Sequence, residues 1–162
     1  MPDVAAHWVL VGAAVAFVAF LLFRARVPLG VPRAQAREAE KQIASAKARA
    51  RDRSRSATDR ARDWCDAATV TLDVLRRPSR AASYALRAAR VDPDHSQAVV
   101  LLARALGRAR RLPALERVLW RRLDGPRGNA WDAAFDALLA LYEGPLRKPE
   151  RSRALRKLAG RE

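Results

Sequence analysis

Hydrophobic positions along this chain fall into three regimes. From Val4 to Phe23 twenty residues carry no formal charge, and Arg24 and Arg26 close the run. From Arg33 to about Arg62 large apolar residues almost vanish, Ile43 being the only one. Beyond Arg62 they return at helical spacing. Each regime predicts a different element, and all of them are helical.

Twenty helical residues at ~1.5 Å per residue span the ~30 Å hydrocarbon core of a bilayer, so residues 1–26 read as a transmembrane anchor. The competing reading, a cleavable signal peptide, needs a basic segment before a shorter apolar run. Here the order is reversed: Asp3 precedes the run, and Arg24, Arg26, Arg33 and Arg37 follow it. Those four arginines are placed to meet anionic lipid headgroups. The positive-inside bias predicts a short N-terminus outside and the remainder in the cytoplasm. Trp8 suits an interfacial position, and His7 is shallow enough to snorkel. Gly12 and Ala16 form one small-xxx-small pair at which another membrane helix could approach.

Residues 27–61 read as a hinge and a basic juxtamembrane helix. Pro28 and Pro32 interrupt any continuation of the anchor, since proline lacks a donor and pushes its predecessor toward extended geometry. The stretch from Arg33 to Arg62 has no Pro or Gly and favours helix, with Arg51–Ser56 the expected bend. Twelve basic residues face four acidic ones between Arg24 and Arg62. A helix polar all round is expected to be a solvated spacer or to lie on a charged partner. The segment has no aromatic residue to stack on bases, which argues against sequence-reading nucleic-acid recognition and leaves anionic lipid or non-specific polyanion contact.

The third regime, residues 62–162, predicts five helices and a short basic tail helix. Trp64, Ala68, Leu72 and Leu75 lie on one face of the first. Arg76-Arg77 suits its C-terminus, and Pro78-Ser79 starts the next, which presents Ala81, Ala85 and Ala88. After Asp92-Pro93, Asp94 and Gln97 resemble a capping box for a third helix with Val99, Leu102, Ala103 and Leu106. Gly107 ends it. A fourth helix over Pro113–Leu123 carries Leu115, Leu119 and Leu123. Asn129 is the expected N-cap of a fifth over Ala130–Tyr142, with Trp131, Phe135, Leu138 and Tyr142 on one side.

These helices pair and recur at the ~34-residue period of tetratricopeptide repeats. With Pro93 at the closing proline, the chain from Arg62 to Tyr142 resembles a divergent tetratricopeptide repeat: Ala81, Ala85 and Ala88 take the small packing positions, and Cys65, Ala68, Thr69 and Leu72 take those of the partner helix. Shifting by one period brings up Val99, Leu102, Ala103 and Leu106. The departures are Cys65 and Val99 for the first-helix aromatic, Leu115 for a small residue and Arg122 for the second alanine. A generic helical bundle is the alternative. The third unit lacks a second helix unless the segment Glu150–Ala159 supplies it. The resemblance implies a binding groove on Asp63, Asp66, Val70, Asp73 and Val74 in the first unit and on Gln97, Val100, Arg104 and Arg108 in the second. An anchor followed by cytoplasmic repeats looks like the lipopolysaccharide assembly protein B layout, which implies the bacterial inner membrane. That family's metal module needs paired cysteines, and this chain has one cysteine.

Composition sharpens the partner and narrows the chemistry. The net charge of +15 is carried mostly by arginine and favours anionic surfaces. Cys65 falls on an apolar helix face, where a buried inert thiol is expected. Neither histidine lies in a metal or nucleophile motif, no phosphate-cradling glycine loop is present, and no cofactor is implied. The expectation is a non-enzymatic, single-pass membrane scaffold or accessory subunit that binds a protein partner or a second copy. Polyanion binding by the Arg33 to Arg62 segment, on anionic lipid or RNA, is the alternative.

Overall fold

The computed structural model describes residues 31–160, and those from Ala34 onward form one compact unit. The charge-free run Val4–Phe23, with Gly12, Ala16, Arg24 and Arg26, lies outside the described residues. None of the described helices is long and apolar enough to cross a membrane. The described residues are all-α, with helices α1 (Arg33–Arg51), α2 (Ala57–Asp73), α3 (Pro78–Val91), α4 (Ser96–Arg108), α5 (Leu112–Leu123), α6 (Asn129–Glu143) and α7 (Pro149–Ala159).

The basic stretch is interrupted where the bend is expected, at Arg51–Ser56, and the interruption divides it into two helices. Asp52 breaks it, its carboxylate accepting from the Ser54 N–H at 3.0 Å and the Ser54 hydroxyl at 2.7 Å. Ser56 then accepts from the Asp59 N–H at 3.0 Å while its hydroxyl donates to the Asp59 carboxylate at 2.7 Å. That reciprocal cap starts α2 at Ala57, ahead of the expected start at Arg62. Nor is α1 a solvated spacer. Ala39, Ile43, Ala46 and Ala50, at i, i+4, i+7 and i+11, form a buried stripe, and the last three join the core that contains Trp64 and Tyr84.

From α2 onward the chain makes three helical hairpins: α2–α3, α4–α5 and α6–α7. The first helix of each hairpin packs on both helices of the one before it, while neither helix of the first hairpin contacts the third. Ala81, Ala85 and Ala88 let α3 approach α2 along much of its length, whereas Leu115 and Leu119 hold α5 further from α4. The segment after Lys148 supplies the third hairpin's second helix, burying Ser152 and Leu155 against α6.

One turn design recurs in all three hairpins. Arg76, Arg110 and Arg147 each take a left-handed backbone, with φ of 52°, 54° and 48°. The following basic residue, Arg77, Arg111 or Lys148, sits at the N-cap of the next helix, and its carbonyl accepts from the N–H of Ala81, Leu115 or Ser152. Left-handed geometry costs a residue with a Cβ about 1 kcal/mol, yet none of these positions is Gly or Asn.

Cross-helix bonds fix which ends lie together. At the turn edge the Arg108 guanidinium donates to the Leu72 carbonyl at 3.3 Å, and Arg151 at the start of α7 donates to Glu116 on α5 at 2.6 Å. At the opposite edge Thr58 donates to Asp92 at 3.2 Å, and the Asp94 carboxylate accepts from the Ala130 N–H at 3.1 Å. Asp94 therefore caps α6 rather than α4. His95 holds the N-cap position of α4 without a side-chain cap bond, and Gly128 rather than Asn129 precedes α6.

Gly128 is there for space: a Cβ on it would sit 2.5 Å from the Asp94 carboxylate oxygen. Asp94→Ala is expected to cost about 1 kcal/mol of stability in urea denaturation, the usual worth of an N-cap. Gly128→Ala should cost a similar amount alone and much less on top of Asp94→Ala, because the carboxylate it displaces is already gone. Additive losses in that double-mutant cycle would overturn the coupling.

Candidate functional site

The first helices of the hairpins, α2, α4 and α6, lie side by side and leave one face exposed. It carries Asp66, Val70 and Asp73 from α2, then Gln97, Val100, Arg104 and Arg108 from α4, one turn apart along each helix. Val100 is 45% exposed on a helix flanked on both sides, one of three large hydrophobics exposed among the described residues, with Leu86 and Leu158. Its neighbours are charged but mutually satisfied. The Asp73 carboxylate accepts from Arg104 at 3.2 Å and from Arg108 at 2.8 Å, tying the first hairpin to the second. The face is thus an apolar strip around Val70 and Val100 beside an ion cluster of one carboxylate and two guanidinium groups.

One expected groove residue sits elsewhere. Asp63 is buried at 5% exposure because its carboxylate receives Arg49 of α1 at 2.8 Å and Arg55 of the α1–α2 connection. It is a staple for α1 rather than a groove residue. Val74, one turn beyond Val70, is half-buried at the C-cap of α2, its N–H bonded to the Val70 carbonyl. The adjacent Asp66 is exposed, and its pKa is raised first by partial burial and then by the charge of Asp63, with Arg49 and Arg62 opposing. Arg33 and Arg37 are exposed on α1. Much of the basic segment is engaged internally: besides Arg49 and Arg55, Arg60 donates to the Ala50 carbonyl at 3.2 Å.

Two features of the third hairpin were not anticipated. A cleft of about 330 Å³ opens between α5, α6 and α7, walled by Trp120, Leu123, Trp131, Phe135 and Leu155. Trp131 stacks on Phe135 at 5.6 Å between ring centroids, donates its indole N–H to the Leu123 carbonyl and lies under the Arg127 guanidinium. Beside it is a polar knot. Tyr142 donates its hydroxyl proton to Glu116 at 2.7 Å and accepts from the Trp120 indole at 2.8 Å, while Arg151 and Lys148 flank Glu116. The Tyr142 bond is the main cause holding the Glu116 carboxyl below its ordinary range, with the two cations adding to it against burial. Trp131 and Phe135 carried the helical signal in sequence. The knot had none, because its members are 22 and 26 residues apart and on different helices.

Cys65 lies fully buried on α2, and burial, helped by the Asp66 charge, pushes its thiol up to about 12. A thiol that stays protonated and buried is a poor nucleophile. The folded protein is expected to leave an aromatic disulfide reagent unreacted for hours at pH 8 and to react stoichiometrically in 6 M guanidinium; rapid reaction when folded would show that α2 opens. Among the described residues no group of three or more His, Cys, Asp or Glu side chains is placed to hold a metal ion. Compared with protein-family models, curated proteins and solved structures, the chain finds no match.

Proposed function

We propose that this chain is a membrane-anchored scaffold or accessory subunit, built from tetratricopeptide-like hairpins, that holds a protein partner on the exposed face of α2, α4 and α6. The observation that carries this reading is Val100, an aliphatic side chain left half-exposed in the middle of a face formed by three adjacent helices. Val70 lies on the same face of the adjacent helix, and repeat arrays use extended faces of stacked helices for recognition. The repeat reading is supported by the shared turn of the three hairpins and by packing restricted to neighbours. The anchor reading is supported by the charge-free run and its arginine flank, and it implies the bacterial inner membrane with the helical domain in the cytoplasm. Arg24, Arg26, Arg33 and Arg37 would then lie at the headgroups. The engagement of Arg49, Arg55 and Arg60 within the fold weighs against the basic segment acting as a free polyanion arm.

Purification of the full chain from its native membrane in mild detergent tests this. A stoichiometric protein partner should co-purify with the wild type and be lost with Val100→Asp, while the control Arg90→Gln, on α3 away from this face, should retain it. A monodisperse monomer without partner, or equal retention by both variants, would overturn the proposal.

A further inference from the structure

The three hairpin turns at one edge of the stack are basic. Arg76, Arg77, Arg110, Arg111, Arg147 and Lys148 occupy them in three adjacent pairs, and the turns contain no acidic residue. Arg77 pairs with Glu40 and Lys148 lies 3.8 Å from Glu116, while Arg76, Arg110, Arg111 and Arg147 have no ion pair among the described residues. The opposite edge has no such excess: its loops carry Asp52, Asp92, Asp94 and Asp124 against Arg53, Arg55 and Arg127.

Two further observations orient this edge. In each turn the arginine stands where glycine would be unstrained, so a basic side chain is kept three times over at a position whose backbone disfavours it. The start of α1 also lies at this edge. Glu40 bonds Arg77 and Arg80 there, whereas Arg49 and Ala50, toward the end of α1, bond Asp63 and Arg60. The chain enters α1 from the turn edge, and only nine residues separate Arg33 from Phe23, a reach of about 30 Å at full extension.

From these we infer that the turn edge is a docking surface for an anionic bilayer, so that the hairpins stand on the membrane by the tips of their turns. The inference rests on the anchor reading of Val4–Phe23. Anionic headgroups supply charge complementary to all three basic pairs at once, and the short tether keeps the edge within reach of the leaflet the anchor enters. The near-balanced loops of the opposite edge then face away from the surface, which adds orientation to attraction.

Hydrogen exchange of the full chain in lipid nanodiscs tests it. In discs containing phosphatidylglycerol, relative to phosphatidylcholine alone, the turn amides should exchange about fivefold more slowly, the occupancy gained per basic residue near an anionic surface. The loops at Asp92–His95 and Asp124–Gly128 should not change, and 0.5 M salt should abolish the difference. The triple variant Arg76→Gly, Arg110→Gly, Arg147→Gly should lose most of the slowing while keeping its helicity and melting temperature, since glycine suits the left-handed turn. A triple lysine variant should keep the slowing. Retention of the chain in vesicles through an alkaline carbonate wash reports on the anchor separately. A retained chain with equal exchange in the two disc types, or with both edges slowed alike, overturns the docking edge alone. A released chain overturns the anchor and the docking edge with it, and slowing by RNA but not by phosphatidylglycerol reassigns the edge and overturns the lipid proposal.

Discussion

Tyr142→Ala is expected to remove about 3–5 kcal/mol of stability, the range for truncating a fully buried aromatic. Its side chain is completely inside, and its ring and hydroxyl fasten three helices. From α6 the hydroxyl reaches Trp120 and Glu116 on α5, and Arg151 of α7 lies over the ring and bonds the same glutamate. Tyr142→Phe keeps the ring and should cost only about 1 kcal/mol, one net hydrogen bond. Urea denaturation followed by circular dichroism measures both, and comparable losses for the two variants would show that the hydroxyl, not the packing, dominates.

The same knot sets a pH window. The Glu116 carboxyl titrates below its ordinary 4.5 because the Tyr142 hydroxyl and then the neighbouring cations favour its charged form. The folded state thus holds that proton less tightly than the unfolded state, so the contribution is complete above about pH 4.5 and is lost as pH falls through the depressed folded value. Tyr142 shifts the other way: burial first, and then Glu116, raise its phenol above the ordinary 10.0. Its contribution is present below pH 10 and declines as pH rises through the raised value. Tyr142→Phe should remove the alkaline decline due to this residue and make the acid one shallower. An unchanged acid limb would mean that Lys148 and Arg151 alone hold Glu116.

Asp63→Ala is expected to cost about 2 kcal/mol and to undock α1. The carboxylate accepts charge-assisted bonds from two guanidinium groups, each of the stronger class. The loss stays below that of a fully buried ion pair because Arg49 and Arg55 retain 48% and 33% side-chain exposure and can return to water. Hydrogen exchange gives the sharper readout: amides from Ala39 to Ala50 should lose protection while those of α6 keep theirs. Unchanged protection in α1 would mean that the Ile43 stripe holds the helix without the staple.

Helix limits in the hairpins were legible wherever a proline marked a start, as at Pro78, Pro113 and Pro149, because proline at the first turn leaves a local trace. The Trp64, Ala68, Leu72 stripe was legible for the same reason: its period is carried by large side chains within one helix. The burial of α1 was not. Alanine is both the best helix former and a core residue, so Ala39, Ala46 and Ala50 read as propensity when they are packing. Asp94 and Asp63 misled for a different cause, since each serves an element distant along the chain: Asp94 caps a helix 36 residues away, and Asp63 binds an arginine 14 residues before it. Pairings of that kind are set by tertiary approach and leave no periodic mark in the residues that make them.

The restriction of packing to neighbouring hairpins also bears on how the chain folds during synthesis. The first hairpin and α1 bury Ile43, Trp64, Leu72, Tyr84 and Ala85 among themselves and meet α4 only at one flank. Nothing in that unit waits for a contact from the third hairpin. Low sequence separation between partners lowers the loop-closure entropy opposing each docking step, so the hairpins can assemble in the order in which they leave the ribosome. An unfinished chain then exposes one hairpin's worth of apolar surface at a time, and its acquisition of structure is vectorial from α1 toward α7.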